Sequence, residues 1–366
     1  MSNVFFRTSI APYRIDTYNS IHEMLDCEMY FYWKHDASQA FDEDIIESKC
    51  KFVPNYLKGI RLGRQSRKLC TEVWKILKEN SPKFVIVPEF QILTIQVLLY
   101  KWLYRKDFKV ISMCDDSYDM VANHNDFSKI HRVARRLITP MLDDLILVDS
   151  RVCEWYQKNY GKGVWMPIIM DDEKSKLYYS QLLQKSSELA STYALKGKKI
   201  LLYVGRLVEL KNLTRLLEAF KNITSDATLV IVGDGPERKR LEEQAKLIDK
   251  EILFTGRFDG DDLYAWYNLA STLILASVQE AFGAVTGEAL LAGCRVIVSQ
   301  RAGSSCLVCK ENGEIIDPFD VQGITTAIER QLSLGNIPDL SKARDSLLPV
   351  KFSERMDNLK EKIKTL

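Results

Sequence analysis

The sequence predicts an α/β protein built from two doubly wound, Rossmann-like domains. Short apolar runs of strand length alternate with helical patterns along most of the 366 residues, and such alternation is typical of parallel sheets covered by helices. A chain of this length can also bury two ordinary cores. We place the first domain at residues 1–168 and the second at residues 169–335.

The first domain is predicted from four apolar runs that are each followed by a turn or a helical pattern. They lie at residues 4–9, 84–87, 109–113 and 145–148. Runs that are apolar without alternation indicate strands buried on both faces of a sheet. Helical patterns between them would form right-handed crossovers in one parallel sheet.

The second domain is predicted from similar runs at residues 199–204, 272–276 and 295–299. Between the last two lies a loop and then a helical pattern that stops at Gly293, so the segment is a strand, loop, helix, strand unit. The loop follows the carboxyl end of a strand, which is where open α/β sheets bind ligands.

Two glutamates mark this loop and its helix. Glu280 is predicted in the loop and Glu288 on the first turns of the helix, while Gly283 lets the backbone approach a ligand. Carboxylates accept paired hydrogen bonds from the vicinal hydroxyls of a ribose or a hexose. Alternatively, Glu280 is a surface residue and Glu288 a helix-start carboxylate favoured by the helix dipole. Their spacing alone does not decide between these interpretations.

A second polar stretch follows the strand predicted at residues 199–204. Its sequence from Gly205 to Asn212 places Arg206 and Lys211 at a strand end, just before another helical pattern. A guanidinium and an ammonium in this position could bind a diphosphate.

Taken together, these stretches resemble the carboxyl-terminal half of the family-4 retaining glycosyltransferases, which have the GT-B fold. The matching motifs occur in the family's order: Tyr-Val-Gly-Arg-Leu-x-x-x-Lys-Asn from residue 203, Leu-Val-Ile-Val-Gly-Asp-Gly-Pro from 229, Ile-Leu-Phe-Thr-Gly-Arg from 252, the glutamate pair, and Ala-Gly-Cys-Arg-Val-Ile from 292. The resemblance covers residues 198–332.

The resemblance implies two domains that face each other across a deep cleft, with C-terminal helices at residues 336–366 returning to the first domain. It also implies a retaining, metal-independent transfer of a sugar from a nucleoside diphosphate sugar to a hydroxyl of a glycan or lipid-linked glycan acceptor. A UDP-sugar is favoured as the donor, followed by a GDP-sugar. The product would belong to a surface polysaccharide.

The same resemblance assigns roles to individual residues. Arg206 and Lys211 would neutralise the leaving diphosphate, Glu280 would hold the hydroxyls of the donor sugar, and Glu288 would bind the ribose. The other expected donor-binding residues are Gly205, Gly233, Arg257, Phe282, Gly283, Ala284 and Val285. No metal or other cofactor is expected, because the family lacks a D-x-D metal site.

The acceptor side is predicted in the first domain, in the loop after the strand at 109–113. Asp115 or Asp116 would orient an acceptor hydroxyl or assist its deprotonation, unless both lie in a solvated acidic turn. The loop after the first strand offers Arg14, Asp16 and Tyr18 as further contacts for donor phosphate or acceptor. The remaining candidates for this site are His124 and His131.

Composition limits the other function classes. The formal net charge is +2, so the chain as a whole gives no reason to expect a nucleic acid partner. No apolar stretch is long enough to span a bilayer and the first residues lack a secretory layout, so we expect a cytoplasmic protein. The eight cysteines are scattered apart from Cys306 and Cys309, and we interpret them as free thiols of a reducing compartment.

One helical pattern favours contact with anionic lipid. Arg132, Arg135 and Arg136 lie on residues 131–139, with Val133, Leu137 and Ile138 on the other face. A basic and aromatic mixture at residues 101–106 resembles it. Such patches can bind lipid headgroups from the inner face of a membrane, although arginines on a helix also occur as a plain solvated face.

Two other functions remain open from the sequence. An isomerase or phosphorylase on the same fold would keep the phosphate and sugar sites. A non-catalytic subunit could bind a nucleotide sugar without turning it over. The presence of both residue pairs, Arg206 with Lys211 and Glu280 with Glu288, argues against the second.

Overall fold

The computed structural model describes residues 2–34, 43–61, 68–126 and 128–366. The chain divides into two compact units. Unit 1 comprises Met1–Met170 and Ser353–Leu366, and unit 2 comprises Asp171–Phe352. Each unit is an α/β structure with one parallel sheet at its centre, which confirms the fold class predicted from the sequence.

The strands are β1 Asn3–Arg7, β2 Cys27–Phe31, β3 Asn55–Tyr56, β4 Gly59–Arg61, β5 Lys68–Cys70, β6 Phe84–Pro88, β7 Lys109–Cys114, β8 Asp144–Leu147, β9 Val164–Trp165, β10 Ile200–Val204, β11 Thr228–Val232, β12 Ile252–Gly256, β13 Thr272–Leu275, β14 Arg295–Ser299 and β15 Gly313–Ile316.

The helices are α1 Ile15–Leu25, α2 Glu43–Ser48, α3 Val73–Asn80, α4 Ile92–Leu103, α5 Tyr118–Ala122, α6 Lys129–Ile138, α7 Ser150–Tyr160, α8 Asp172–Gln181, α9 Leu183–Thr192, α10 Leu213–Lys221, α11 Arg238–Ala245, α12 Gly260–Leu269, α13 Val285–Leu291, α14 Val321–Leu334 and α15 Phe352–Lys364. In the described part of the chain, no helix is long and apolar enough to cross a bilayer.

Unit 1 is organised around a seven-stranded parallel sheet with the order β3-β2-β1-β6-β7-β8-β9. Its central strands are apolar along their length, and the side chains of β6 and β7 are almost wholly buried because helices cover both faces. The chain reverses its direction of travel across the sheet between β1 and β6. The carboxyl ends of β1, β6 and β7 are therefore neighbours at a topological switch point.

Unit 2 repeats this organisation with a six-stranded parallel sheet in the order β12-β11-β10-β13-β14-β15. The strands predicted at 199–204, 272–276 and 295–299 are β10, β13 and β14. Strand order reverses between β10 and β13, which pair through Leu201 with Thr272 and Leu202 with Leu273. The two loops that carry the predicted diphosphate and sugar residues therefore start from adjacent strands.

The segment after α14 differs from the prediction, in which residues 336–366 leave the second domain together. Only Ser353–Leu366 belongs to unit 1, whereas residues 336–352 belong to unit 2. The reason is local hydrogen bonding. Arg344 donates from Nη1 to the carbonyl of Ala270 at 2.8 Å and from Nη2 to that of Tyr267 at 2.7 Å, and Leu347 N donates to the Leu290 carbonyl at 2.8 Å.

Candidate active site

The loop after β10 carries Lys211 and is held by the residue that follows it. Asn212 is buried and adopts a left-handed backbone with φ of 61°, a conformation that asparagine tolerates better than most residues. Its side-chain amide donates to the carbonyls of Ala276 at 3.1 Å and Pro318 at 2.7 Å. Asn212 thereby ties the β10 loop to the end of β13 and to the segment before α14.

The loop after β13 is fixed from two sides. Val278 N donates to the carbonyl of Leu210 at 2.9 Å, which joins it to the β10 loop. On the other side, Glu280 forms a parallel backbone bridge with Ala302, and Ser304 N donates to the Phe282 carbonyl at 2.8 Å. The loop therefore has little freedom to move the Glu280 side chain away from its neighbours.

These two loops bring Lys211 and Glu280 together. The ammonium donates to Glu280 Oε2 in a direct ion pair, although the residues lie 69 positions apart in the sequence. Their side chains are 18% and 16% exposed, so the pair is largely desolvated yet reachable from solvent. Partial desolvation strengthens their attraction and fixes both side chains at the carboxyl edge of the sheet.

Arg206 lies in the same loop but has a different environment. The residue is exposed, and it forms no ion pair with any carboxylate among the described residues. Its backbone carbonyl accepts a hydrogen bond from the Tyr203 hydroxyl at 2.9 Å, so the main chain is fixed while the guanidinium remains available. A cation of this kind at a strand end can bind an anionic ligand.

Near these side chains, glycines allow neighbouring backbone segments to approach each other closely. Gly205 N donates to the Val232 carbonyl at 3.0 Å, and Gly233 has φ of 146°. A Cβ added to Gly233 would lie 1.9 Å from the carbonyl oxygen of Gly205, a distance that no side chain could occupy. In the neighbouring loop, Gly283 has φ of 91° and a Cβ there would lie 2.5 Å from Leu275 Cδ2. Both turns require glycine.

Glu288 lies on the first turns of α13 as predicted, but it is buried among tyrosines. Its Oε2 accepts from the Tyr267 hydroxyl at 2.5 Å, and its Oε1 lies 3.4 Å from the hydroxyl of Tyr264. Burial raises the pKa of Glu288 above its ordinary value, and the two tyrosine hydrogen bonds oppose that rise. The carboxylate retains further acceptor positions for a hydroxyl, since each oxygen can accept two hydrogen bonds.

The remaining donor-site candidates differ in exposure. Phe282 is buried, whereas Ala284 and Val285 are half-buried at the start of α13. Arg257 is at the surface, where its Nε and Nη2 donate to Asp259 at 2.9 and 3.0 Å. Its guanidinium therefore has a partner of its own, and what it can offer a ligand at this strand end is its backbone.

A cavity of about 520 Å³ lies beside the β10 loop, and Val208, Glu209 and Asn212 contribute to its lining. It is bounded by the starts of α10 and α11 and includes Arg215 and Arg240. Arg206, Lys211 and Glu280 do not line it. The candidate site is thus an open edge of the sheet and not this cavity.

Unit 1 holds a dense charged cluster at its own switch point. Asp115 follows β7, and its Oδ2 lies 3.0 Å from Arg7 Nη2 while its Oδ1 lies 2.5 Å from Arg14 Nη2. Both arginines are buried. Burial alone would raise the pKa of Asp115, but Arg14 and Arg7 outweigh it and hold the pKa below its usual range. A lowered pKa makes Asp115 a weaker base, which disfavours the predicted assistance to deprotonation.

Asp116 has a structural environment that also differs from the prediction. It is buried, with Oδ2 accepting from Arg135 Nη1 at 2.9 Å and from the Tyr156 hydroxyl at 3.1 Å. A carboxylate enclosed in this way does not reach an acceptor. Arg135, predicted on the outer face of its helix, is itself buried in the same cluster.

The remaining candidates of unit 1 are two histidines and three residues at or near the start of α1, and some of them belong to this charged cluster. His131 lies 3.5 Å from Asp116, 3.6 Å from Glu89 and 3.3 Å from Asp126. Burial alone would lower the pKa of His131, but these carboxylates raise it to about 9. His124 is exposed, and Tyr18 is buried. Asp16 is half-buried. Among these candidates, His131 and Arg14 join the cluster around Asp115 and Asp116.

The motifs and this geometry agree with a comparison against protein families. A model described as glycosyl transferases group 1 matches residues 185–345, which include Lys211, Glu280 and Glu288. This part of the chain belongs to the glycosyl transferases group 1 family. The match lies almost entirely within unit 2, where the two loops meet.

Relatives of this group 1 domain are similar over part of their length. An uncharacterized glycosyltransferase of Methanocaldococcus jannaschii is 34% identical over 141 residues, which are 37% of this chain and 36% of the relative. The lipopolysaccharide 1,2-N-acetylglucosaminetransferase of Salmonella typhimurium is 30% identical over 169 residues, 42% of this chain and 44% of the relative. The matches thus span less than half of these curated relatives.

A solved structure covers the whole chain. Anabaena HepE in complex with UDP matches with a TM-score of 0.73 and 16% identity over 100% of both chains. At this identity the likeness shows the fold, which is the GT-B fold of two Rossmann-like domains. The glycosyl transferases group 1 domain is the second of the two.

Sequence reasoning missed several residues that shape both clusters. Asn212 was part of the motif around Lys211, yet only the structure shows that it anchors the loop. Tyr264 and Tyr267 gave no signal, because their contact with Glu288 depends on how α12 packs. In unit 1, Arg7 ends the first strand and Glu89 follows β6, so strand-end position was an available signal for both.

Proposed function

We propose that the protein is a glycosyltransferase that moves a sugar from a nucleoside diphosphate sugar to a hydroxyl of a glycan or lipid-linked glycan. The observation that carries this proposal is the Lys211–Glu280 ion pair, placed where two adjacent strand-end loops of the group 1 domain meet. The pair puts a cation for a phosphate next to a carboxylate for sugar hydroxyls.

The leaving group explains why a cation is needed. When the bond between the anomeric carbon and the diphosphate oxygen breaks, negative charge accumulates on the diphosphate. Lys211 and the exposed Arg206 supply two positive charges there, and preorganised charges of this kind lower the barrier. The glycine backbones at 205 and 233 permit the diphosphate to approach closely. In this proposal no metal is required.

The carboxylates have separate tasks. Glu280 would accept hydrogen bonds from hydroxyls of the donor sugar and so orient the anomeric carbon for an acceptor that arrives on the face the diphosphate leaves. Configuration at that carbon would then be retained. Glu288 would accept from the ribose, with Tyr264 and Tyr267 fixing its position. Asp115, held ionised by Arg7 and Arg14, would orient the acceptor hydroxyl.

UDP-sugars are favoured as donors and GDP-sugars come next. The support is the UDP bound to a protein of the same fold. A lipopolysaccharide N-acetylglucosaminetransferase among the relatives supports a lipid-linked glycan acceptor and a role in surface polysaccharide synthesis. The described cysteines are free thiols, which supports action in the cytoplasm.

A thermal-shift series tests the donor site. The purified protein is heated with uridine, guanosine, adenosine or thymidine diphosphate, with magnesium or with a chelator. We expect UDP to raise the melting temperature to the same extent in both conditions, because a ligand that binds only the folded state stabilises it. Lys211→Met should weaken UDP binding by roughly tenfold to hundredfold. The exposed Lys221→Met serves as the matched control. No shift with any diphosphate would overturn the donor site.

Product analysis tests the reaction. Incubation with the donor that binds and a glycan acceptor should release UDP and form a glycoside whose anomeric configuration, read by NMR, equals that of the donor. An inverted product would refute retention. Sugar phosphate formed only when inorganic phosphate is added would establish a phosphorylase instead.

A further inference from the structure

Glu288 is a buried carboxylate that lacks a cationic partner. It is only 7% exposed, and no lysine, arginine or histidine among the described residues forms an ion pair with it. Asp115 of unit 1, in contrast, lies between two arginines. Burial of a carboxylate without a cation costs free energy, so the stability of the fold gives no reason for a glutamate at this position.

Two tyrosine hydroxyls of α12 take the place of a cation. Tyr267 is fully buried and its hydroxyl lies 2.5 Å from Glu288 Oε2. Tyr264 is 8% exposed and its hydroxyl lies 3.4 Å from Oε1, which makes this the weaker hydrogen bond. Tyr267 is therefore the fixed partner of the carboxylate. The side that can meet a ligand is the Oε1 side, where residual exposure and acceptor capacity coincide.

Two further tyrosines, on α8, pack in the same aromatic cluster but bind other groups. The rings of Tyr178 and Tyr179 lie 5.4 and 6.1 Å from that of Tyr264. The Tyr179 hydroxyl donates to the backbone carbonyl of Glu288 at 2.8 Å, and the Tyr178 hydroxyl donates to Asp261 at 2.6 Å. Among these four tyrosines, only Tyr264 and Tyr267 donate to the Glu288 carboxylate.

The titratable groups around Glu288 favour donation to it. They are Tyr178 and Tyr179 of α8, Tyr264 and Tyr267 of α12, and Cys294 after α13. Burial raises the pKa of Tyr179 and Tyr267 well above the ordinary value of 10, and it raises the pKa of Tyr178 and of the Cys294 thiol. Burial also raises the pKa of Glu288, and the hydroxyls of Tyr267 and Tyr264 oppose that rise. Loss of the Tyr267 hydroxyl should therefore favour protonated Glu288, which has fewer lone pairs for a ligand.

We propose that Tyr267 is a positioning residue that fixes Oε2 of Glu288 and leaves Oε1 for a ribose hydroxyl, so that the group 1 domain selects ribonucleotides against deoxyribonucleotides. A neutral hydroxyl suits a carboxylate that has no cation beside it, whereas a phosphate would be repelled. A deoxyribonucleotide would leave the buried acceptor without its partner, which is the source of the selection. This inference rests on the proposed donor site and deepens it.

Calorimetry with UDP and 2′-deoxyuridine diphosphate tests the selection. The ratio of the two dissociation constants is compared, because titration of the terminal phosphate affects both ligands alike. We expect the wild type to bind UDP about tenfold to hundredfold more tightly, as for loss of one hydrogen bond to a charged group. Glu288→Gln should remove most of this preference at every pH.

Tyr267→Phe tests the positioning role. It removes one hydroxyl and keeps the ring in the cluster. The preference for UDP should fall to about threefold or less at pH 7. It should return towards the wild-type value as the pH is raised to about 9, because the carboxylate forms again above its raised pKa. A merely structural loss would not depend on pH. The dependence should also be absent when Tyr267→Phe is combined with Glu288→Gln.

Tyr179→Phe and Tyr178→Phe are the matched controls. The first removes a hydroxyl that is as buried as that of Tyr267 but binds the backbone of Glu288, and the second removes one that binds Asp261. Both variants should keep the wild-type preference for UDP at every pH. Melting temperatures verify that each variant folds.

The outcomes separate this inference from the donor site on which it rests. An absence of UDP binding to the wild type would overturn both. If UDP binds but the wild type takes 2′-deoxyuridine diphosphate equally well, or if Tyr267→Phe keeps the full preference at pH 7, only the role of Tyr267 is refuted. An equal loss in Tyr179→Phe would also refute it, because the effect would then come from packing of the cluster.

Discussion

In unit 1, the charges at the carboxyl ends of β1, β6 and β7 are matched inside the protein, with Asp115 between two buried arginines. In unit 2, the corresponding edge of the sheet holds a largely desolvated pair, Lys211 with Glu280, and an exposed Arg206 that forms no ion pair among the described residues. The same position in two similar sheets thus carries an internally compensated cluster in one unit and an incomplete one in the other. Charge that is already compensated stabilises a fold, whereas charge left accessible is available to a ligand.

Removing the charge of Glu280 tests the sheet edge of unit 2, and it should give the largest effect of the substitutions considered. Glu280→Gln keeps the shape of the side chain but weakens its hydrogen bonds to sugar hydroxyls and leaves Lys211 unpaired. We expect the turnover number for sugar transfer to fall roughly a thousandfold, as for loss of a key transition-state contact. The affinity for UDP should change little. Wild-type turnover in this variant would remove Glu280 from the site.

The matching substitution in unit 1 should act on stability. Asp115→Asn leaves Arg7 and Arg14 buried without a compensating charge, which should reduce the free energy of unfolding by about 3 kcal/mol. Denaturant unfolding at neutral pH measures this loss. In contrast, the same measurement on Glu280→Gln should show a much smaller change.

The pH dependence of stability tests whether the charge of Asp115 causes the expected loss. Its pKa is lowered in the folded protein, so the stability it contributes is fully present above the ordinary value of 3.8 and is lost as the pH falls through the lower folded value. The difference between wild type and Asp115→Asn should therefore shrink in acid. A constant difference at all pH values would show that charge is not the cause.

His131 extends the comparison within unit 1 with the opposite sign. Its pKa is raised from 6.5 to about 9 by Glu89, Asp116 and Asp126, which outweigh burial and the nearby charge of Arg135. The stability it contributes is thus fully present below pH 6.5 and is lost as the pH rises through 9. We expect His131→Gln to be less stable than the wild type by about 2 kcal/mol at pH 6 and nearly equal to it above pH 9. Equal stability at pH 6 would mean that the imidazolium is not part of the cluster.

Much of this organisation was predictable because it depends on short-range patterns. The apolar runs at β1, β6, β7, β10, β13 and β14 form strands that are buried on both faces of a sheet. Apolar runs of this length that alternate with helices are typical of parallel α/β sheets. The positions of Lys211 and Glu280 at strand ends followed from those runs. That they form an ion pair depends on β10 lying next to β13, which is a matter of topology and not of local pattern.

The errors arose where long-range contacts outweigh periodicity. Helical spacing placed Arg135 on the basic face of α6, but the carboxylates of Asp116 and Asp126 bind it inside unit 1, where it is buried. A buried arginine needs such partners, and they come from segments that the helical pattern does not include. Similarly, the two tyrosines around Glu288 come from α12, which packs there only in the folded unit.

Substitution of Arg257 should give the smallest effect. It helps to distinguish charges that are compensated within the protein from charges that are available to a ligand. Its pair with Asp259 is neither buried nor left open for a ligand, because both side chains are at the surface, 40% and 45% exposed. Such pairs contribute little, so Arg257→Ala should change the free energy of unfolding by less than about 0.5 kcal/mol. If the nucleobase is held here by backbone groups, UDP affinity measured by calorimetry should also be unchanged. A loss of tenfold or more would show that the guanidinium exchanges Asp259 for the nucleotide. Arg257 would then join Arg206 and Lys211 among the cations proposed to bind the diphosphate.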